Sequence, residues 1–312
     1  MALRKTVLEV VTYNVLSSHL SKAEELPKCE PAACNPSARL KRLQNKLLPH
    51  IQSERVLCLQ EISREWYGRL LPMFRRHGYT CIPGLYGYGK NGYMGVMLAY
   101  ADGKYELESC ETSRVSDRAK WWVPREEKGI MQKGWDWIRW GLRLPEEQEG
   151  GLSRAKGRHN MLVMGCLRDR ETQHRVVVGT YHMPCDFRRP DVMQLHVAAA
   201  ARQLQEYAGD LPCVLAGDFN FQPDSECYRL VTGGGMSEEE AKTLRILNPT
   251  LGKEHTSLLF PMRSAYKEAV GAEPAFTNYS YTEWNGGPST FIGTLDYIFY
   301  SPHFGHVEAE AL

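Results

Sequence analysis

The stretch that most constrains this chain is Val-Leu-Ala-Gly-Asp-Phe-Asn at residues 214–220, where an apolar run ends in a carboxylate and an amide. Side chains alternate along a strand, so Asp218 and Asn220 are predicted on one side and Phe219 on the other, in apolar packing. The carboxylate could then orient or deprotonate a water, while the amide bonds an oxygen of the group under attack. A capping turn is the alternative, because Asp and Asn both favour strand ends and helix N-caps.

Other strand-like runs also deliver a polar residue near one end. They are residues 8–16 with Asn14, residues 55–61 with Glu61, residues 175–182 with His182, and residues 293–301 with Asp296 near the start. Each has an ordinary alternative: a satisfied core amide for Asn14, a solvated loop acid for Glu61, and a packing or surface histidine for His182. Their repetition favours one shared site.

Helical patterns lie between these strands. Ser37 is the predicted N-cap of a helix with a leucine stripe. Further helices are predicted from Trp66 to Arg76, from Arg188-Arg189-Pro190 to about Tyr207, and from a start at Pro223-Asp224-Ser225. Helices that pack on a sheet follow, and we expect the 312 residues to form a single domain.

The composition excludes few classes of function. There are 38 basic and 37 acidic residues, so no nucleic-acid or membrane preference follows from the whole chain. Nine scattered cysteines and an N-terminus without a signal-peptide core predict an intracellular, most plausibly cytoplasmic protein with no disulfide-linked partner. Cys29 and Cys34 are interpreted as structural or exposed rather than metal-binding. No apolar run approaches the roughly 20 residues that span a bilayer, so no membrane partner is expected.

Residues 114–158 are predicted to be an insertion that is rich in tryptophan and basic residues. Five of the seven tryptophans lie here, at 121, 122, 135, 137 and 140. Residues 114–143 hold eight basic and four acidic residues, a surplus of four positive charges. Aromatic rings interleaved with cations suit single-stranded RNA, because bases stack while phosphates meet Lys and Arg. The alternative is that the tryptophans anchor the insertion on the parent fold.

Five motifs together resemble the endonuclease/exonuclease/phosphatase superfamily. They are Tyr13-Asn14, Leu59-Gln60-Glu61, Tyr181-His182, Gly217-Asp-Phe-Asn220 and Leu295-Asp-Tyr-Ile-Phe-Tyr-Ser301. Within it the chain looks most similar to the carbon-catabolite-repression deadenylase branch, with nocturnin, angel and 2′-phosphodiesterase relatives. That finer resemblance is carried by Phe276-Thr-Asn-Tyr279, by Gly217-Asp-Phe-Asn-Phe-Gln-Pro-Asp-Ser225 and by His182.

The resemblance implies a four-layer α/β/β/α sandwich of two packed mixed sheets, with a Mg²⁺-dependent phosphoesterase site at one edge. Glu61 is implied as the principal metal ligand with Asn14 beside it, and Mn²⁺ would be tolerated. Asp218 would activate the attacking water, Asn220 and His182 would contact phosphate, and Asp296 would hold a catalytic histidine. Further substrate contacts are expected at Asn14, Arg188, Phe276 and Asn278.

One departure from the family pattern bears on activity. A Ser-Asp-His segment follows the Asp296 strand in the family, and these 312 residues contain no counterpart. His303 and His306 lie too close behind Asp296 to replace it. We expect the sequence to be a piece of a longer enzyme that lacks a C-terminal strand; a weakened or inactive relative is the alternative.

The predicted function is therefore a Mg²⁺-dependent 3′-to-5′ exoribonuclease, deadenylase-like, acting on single-stranded RNA. The alternatives are a nocturnin-like or angel-like enzyme acting on small nucleotides or RNA ends, and a catalytically weak RNA-binding relative. The sequence leaves the oligomeric state open.

Overall fold

The computed structural model describes residues 8–22, 26–119, 151–239, 242, 256–283 and 288–310. Residues 120–150, with the five tryptophans of the insertion, lie outside the described residues, so the predicted roles of those tryptophans stay predictions.

Short strands supply the frame of the molecule. In chain order they are β1 (Val10–Asn14), β2 (Val56–Ile62), β3 (Tyr79–Leu85), β4 (Gly95–Ala101), β5 (Tyr105–Arg114), β6 (Met161–Asp169), β7 (Arg175–His182), β8 (Cys213–Asp218), β9 (Arg263–Ser264), β10 (Asn278–Glu283), β11 (Pro288–Gly293) and β12 (Asp296–Tyr300).

Helices connect and cover the strands. They are α1 (Pro31–Cys34), α2 (Pro36–Gln52), α3 (Arg64–Arg76), α4 (Val115–Arg118), α5 (Gly151–Lys156), α6 (Pro190–Ala208), α7 (Glu226–Gly233) and α8 (Ala265–Val270). A 3₁₀ turn spans Gly89–Asn91. None of the helices in the described ranges combines the length and apolarity needed to cross a membrane.

Two sheets of mixed direction result. The first has the order β1-β2-β4-β3, with β1 and β2 parallel and the other pairs antiparallel. The second has the order β5-β6-β7-β8-β12-β9, in which β7 and β8 are the parallel pair. Strands β10 and β11 form a separate antiparallel hairpin.

Three apolar cores fill the spaces of a four-layer arrangement. Leu59 and Trp66 lie in the core between the first sheet and helices α2 and α3. Leu98 and Val214 lie in the core between the two sheets. Leu204 of α6 lies in the core on the outer face of the second sheet. The predicted α/β/β/α sandwich of two mixed sheets is confirmed, because helices cover both outer faces.

Element boundaries differ from the sequence expectation at the first long helix. Asn35, not Ser37, caps α2: its side chain accepts hydrogen bonds from the backbone N–H groups of Ser37 and Ala38. Pro36 explains the shift, because proline lacks an N–H and its fixed φ suits the first helical position. The prediction of Ser37 as N-cap was therefore wrong.

Strand ends near the predicted site also differ. The strand that contains Glu61 continues to Ile62, and the strand before Asn220 already ends at Asp218. The run 293–301 divides between β11 and β12, with residues 294–295 between them. Each difference falls where the chain turns to present a polar side chain.

Both ends of the predicted insertion pack on the parent fold. Val115 of α4 and Leu152 and Ala155 of α5 are buried in the same core as helix α6. Gln203 of α6 donates a hydrogen bond from Nε2 to the carbonyl oxygen of Val115 at 2.9 Å. Val115, Leu152 and Ala155, on either side of residues 120–150, therefore lie beside α6.

Candidate active site

Strand ends from both sheets meet at one edge of the sandwich. Register places His182 of β7 beside Asp218 of β8, and Asp218 opposite Asp296 of β12. Residues in register share a face of a sheet, and the alternation along these strands puts all three on the face toward the first sheet. Asn14 and Glu61 come from that first sheet, at the end of β1 and near the end of β2.

Asn14 joins the two sheets across this edge. Its Nδ2 donates to Glu61 Oε1 and to Asp218 Oδ2, both at 2.9 Å. Its Oδ1 accepts from the backbone N–H of Leu16 at 2.9 Å. The amide nitrogen of Asn14 thus holds the Glu61 and Asp218 carboxylates close to each other. The amide oxygen, which is the atom that could bind a cation, already accepts one hydrogen bond.

Glu61 reaches the site through a backbone irregularity. The β2–β4 register shifts between Gln60 and Ile62, which makes Glu61 the extra residue of a β-bulge with φ of 57°. Bulges re-aim a side chain, and a non-glycine residue at this φ is uncommon. Glu61 Oε2 accepts from the backbone N–H of Ser17 at 3.2 Å. The bulge therefore turns a carboxylate from a buried strand toward Asn14.

A second turn shapes the end of β8. Asp218 Oδ1 accepts from the backbone N–H of Asn220 at 3.0 Å, and Asn220 has φ of 52°. This side-chain turn, rather than continued strand alternation, sets the position of Asn220. Its Nδ2 donates to the carbonyl oxygen of Met183 at 2.8 Å. Phe219 is fully buried among aromatic rings, as predicted.

Three of the six non-glycine residues that have a positive φ in the described ranges lie at this edge. Leu16, Glu61 and Asn220 all have φ between 52° and 57° without being glycine. Each such residue costs about 1 kcal/mol or more and persists only where its surroundings require it. Their concentration around Asn14 is typical of a functional site.

Asp296 carries the clearest electrostatic perturbation. Burial first, and then the neighbouring carboxylates of Asp218 and Glu61, raise its pKa, while a hydrogen bond from Thr277 opposes the shift. Thr277 Oγ1 donates to Asp296 Oδ2 at 2.7 Å. Asp296 Oδ1 is buried and accepts no hydrogen bond from any described residue.

This donor set fits a hard divalent cation. In the described ranges no three His, Cys, Asp or Glu side chains converge into a ready cage. Mg²⁺ needs none, because it keeps several waters and is commonly held by one or two carboxylates together with substrate phosphate. Repelling carboxylates and the buried, unpartnered Asp296 Oδ1 indicate that positive charge is missing at this edge.

His182 lies on the side of Asp218 away from Asp296, because β7 and β12 flank β8 on its two sides. Its Nε2 is 3.8 Å from Asp218 Oδ2, and its ring is buried. Tyr86, just after β3, places its hydroxyl 3.4 Å from His182 Nδ1. Asn160 Nδ2 donates to the Tyr86 hydroxyl at 3.2 Å and to the His182 carbonyl oxygen at 2.8 Å.

The remaining predicted residues surround this cluster. Phe276 is 54% exposed, and Asn278 begins β10 in register with Gly293. The two flank Thr277, which bonds Asp296. Arg188 is exposed on the segment that follows β7. Their predicted substrate contacts stay predictions.

Two histidines lie at the other end of β12 from Asp296. His303 Nδ1 is 3.2 Å from Ser301 Oγ, which accepts from the backbone N–H of Cys213 at the start of β8. His306 is exposed and lies 3.2 Å from Glu308. Neither can therefore pair with Asp296, as the sequence indicated.

The sequence reasoning did not single out several residues at this edge. Thr277 lies inside the Phe-Thr-Asn-Tyr motif, so that motif was a usable signal. Tyr86 lies in a loop rich in Gly and Tyr, and Asn160 simply precedes β6. For these two residues no local pattern marks the role, because the contacts cross between elements.

Fold and site together define a class: a two-sheet α/β sandwich with an acidic, amide-bridged centre at one sheet edge. The sequence model described as the endonuclease/exonuclease/phosphatase family matches residues 11–312. The chain belongs to that family.

Individual relatives agree. The CCR4-Not complex 3′-5′-exoribonuclease subunit Ccr4 of Emericella nidulans is 38% identical over 104 residues, 33% of this chain and 14% of that protein. The subunit of the same name from Saccharomyces cerevisiae is 22% identical over 316 residues, 96% of this chain and 34% of that protein. The chain thus spans about a third or less of the length of these relatives.

Solved structures share the fold. ANGEL2, described as a 2′,3′-cyclic phosphatase, superposes with a TM-score of 0.68 at 19% identity, covering 94% of this chain and 82% of that one. The human Nocturnin catalytic domain gives 0.57 at 17% identity, covering 95% and 83%. The predicted superfamily is confirmed. The similarities to Ccr4 subunits, ANGEL2 and nocturnin are in line with the predicted deadenylase, nocturnin and angel branch.

Proposed function

We propose that this protein is a Mg²⁺-dependent phosphodiesterase that shortens single-stranded RNA from its 3′ end, with a deadenylase-like preference. The observation that carries the proposal is the bridge from Asn14 Nδ2 to both Glu61 and Asp218, each at 2.9 Å, with His182 and Asp296 on the strands beside Asp218. Similarity to Ccr4 subunits, described as 3′-5′-exoribonucleases, supports the direction of attack.

In this proposal Asp218 orients and deprotonates the attacking water. Hydrogen bonds from Asn14 and from the Asn220 backbone fix both of its oxygens in place. A carboxylate held in one orientation presents its remaining lone pairs to a water in a defined direction. The water oxygen would bond to phosphorus as the bond from phosphorus to the 3′ oxygen of the shortened chain breaks. The proton taken from the water would rest on the Asp218 carboxylate, and the departing 3′ oxygen would take a proton from solvent.

Two hydrogen-bond donors would face the phosphate in this arrangement. His182 Nε2 lies beside Asp218, and Asn220 Nδ2 has two hydrogens, of which its bond to Met183 uses one. Donors aimed at nonbridging oxygens stabilise the charge that develops during in-line attack.

Glu61 would hold Mg²⁺, with Asn14 beside it and Mn²⁺ as a tolerated substitute. The ion would supply positive charge to the phosphate oxygens. Asp296 completes the acidic face, and its buried Oδ1 accepts no hydrogen bond from any described residue.

The test is hydrolysis of a 5′-labelled oligoadenylate with Mg²⁺. We expect a ladder of products shortened from the 3′ end, and we expect Asp218→Asn to remove it while the melting temperature changes little. Asp210→Asn is the matched control, because Asp210 is an exposed acid after α6, outside the site. Full activity in Asp218→Asn would exclude the proposed base.

Two further substrates distinguish the alternative functions. NADP and RNA with a 2′,3′-cyclic phosphate end are supplied under the same conditions. Cleavage of either one without shortening of oligoadenylate would replace the exoribonuclease proposal with a nucleotide or RNA-end phosphatase. Should no substrate react and Mg²⁺ leave the melting temperature unchanged, the chain would instead be an RNA-binding relative.

A further inference from the structure

We propose that Tyr86, supported by Asn160, is a positioning residue that fixes His182 in the neutral tautomer with its proton on Nε2. This inference rests on the proposed function, in which His182 Nε2 donates to a phosphate oxygen. Among the described residues the Tyr86 hydroxyl contacts His182 and Asn160 and bonds to none of the carboxylates, so Tyr86 acts through the imidazole ring.

The available donors and acceptors indicate the direction of the hydrogen bonds among Asn160, Tyr86 and His182. Asn160 Nδ2 lies 2.8 Å from the His182 carbonyl oxygen and 3.2 Å from the Tyr86 hydroxyl. A carbonyl oxygen only accepts, so the amide nitrogen must face it, and its second hydrogen goes to the Tyr86 oxygen. The phenol has one proton to donate, and His182 Nδ1 at 3.4 Å is its only other hydrogen-bond partner among the described residues, so we assign the proton to that contact.

The tautomer follows from that direction. An Nδ1 that accepts a hydrogen bond carries no proton, so the single proton of the neutral ring is on Nε2. Nε2 is the atom that lies 3.8 Å from Asp218 Oδ2. The 3.4 Å separation at Nδ1 is long, as bonds at catalytic centres often are before substrate arrives.

The chemistry of Tyr86 suits a fixed donor. Burial raises the pKa of its phenol, and the carboxylate of Glu61 raises it further. The hydroxyl therefore stays protonated throughout the neutral range. The contact also joins the sheets, because Tyr86 follows β3 of the first and His182 ends β7 of the second.

The first experiment measures the tautomer directly, without turnover. Metal-free protein labelled with ¹⁵N-histidine is examined by long-range ¹H–¹⁵N correlation at pH 7.5, and His182→Gln identifies the His182 signals. We expect a protonated Nε2 and an unprotonated Nδ1, with Tyr86→Phe moving the ring toward a mixture of both tautomers. A protonated Nδ1 in the unaltered protein, or shifts unchanged in Tyr86→Phe, would overturn the proposal.

The control is Tyr181→Phe. Tyr181 also places a buried hydroxyl against a histidine, His196 Nδ1 at 3.0 Å, but on the outer side of the second sheet. We expect this variant to leave the His182 signals in place. If Tyr86→Phe does not fold, Asn160→Ala serves instead, since it removes the donor that orients the phenol, and unchanged His182 signals there would equally overturn the proposal.

Kinetics supply the second readout. Tyr86→Phe should lower kcat about fivefold to tenfold with KM little changed, because one hydrogen bond that aligns the transition state is lost. A lower kcat with an unshifted tautomer would reject the positioning role and leave the phosphodiesterase standing. Absence of hydrolysis in the unaltered protein would reject the proposed function, while the spectrum would still decide the tautomer.

Discussion

His196 should contribute a steep loss of stability as the pH decreases below 6.5. The ring lies in the interior between β7, α5 and α6: Tyr181 donates to its Nδ1 at 3.0 Å, and its Nε2 donates to the Ala155 carbonyl oxygen at 2.8 Å. Both nitrogens are thus satisfied in the neutral form. Burial, and to a lesser degree Arg158, lower the pKa from 6.5 to about 4, although the bond to Ala155 opposes the shift.

The sign and size follow from proton linkage. Below pH 6.5 the unfolded chain takes up a proton at His196 that the folded chain refuses, so the free energy of unfolding decreases with falling pH until the folded pKa of about 4 is reached. Each pKa unit corresponds to about 1.4 kcal/mol, so the whole window removes about 3 kcal/mol. Above pH 6.5 this contribution is fully present.

Urea unfolding at half-unit steps from pH 7.5 to 4, followed by circular dichroism, measures the effect. Asp296 has a raised pKa and contributes the opposite slope, so the useful quantity is the difference between the unaltered protein and His196→Gln, which keeps a donor and an acceptor. We expect the difference to change by about 3 kcal/mol across the window. His306→Gln, at an exposed site, is the control. A difference that is flat from pH 6.5 to 4 would refute the buried neutral imidazole.

Four further substitutions test the site and the core. Glu61→Gln should lower hydrolysis and recover partly at raised Mg²⁺, because the neutral amide keeps the shape but binds metal more weakly; no recovery would remove Glu61 as a ligand. Gly217→Ala should destabilise by about 3 kcal/mol or more in urea unfolding, since its Cβ would lie 1.8 Å from the Tyr181 carbonyl oxygen. Gly68→Ala should instead stabilise α3 by about 0.5–1 kcal/mol, because the added Cβ would have no neighbouring atom within 4 Å and alanine favours a helix more than glycine does. Phe219→Ala should cost about 4 kcal/mol in the same assay, because four aromatic rings surround it.

The layers of the fold could be predicted from the chain because each strand and helix carries its own periodic signal. The run around Leu59 and the helix that begins near Trp66 are examples, since both are buried where the apolar pattern placed them. Helix caps and turns were harder to predict from the sequence. Asn35 displaced Ser37 as N-cap because Pro36 follows it, a competition between neighbours that an apolar stripe does not register.

The contacts of the site could not be predicted in the same way. Asn14 and Asp218 are 204 residues apart, and Tyr86 and His182 are 96 apart. Whether such pairs meet depends on how two sheets pack and on which strand ends fall at the same edge. Local patterns identify the strands but leave that relative placement undetermined.

The misjudged strand ends themselves point to function. Regular alternation would have carried Glu61 and Asn220 along their strands, yet a bulge and a side-chain turn hold both residues at positive φ. Asp218 and Asp296 stand directly opposite each other, an arrangement that destabilises a strand pair when both are charged. A sequence selected for stability alone would avoid strain and repulsion at one edge. Their retention around Asn14 is the pattern expected where binding a cation and a phosphate supplies the compensating interactions.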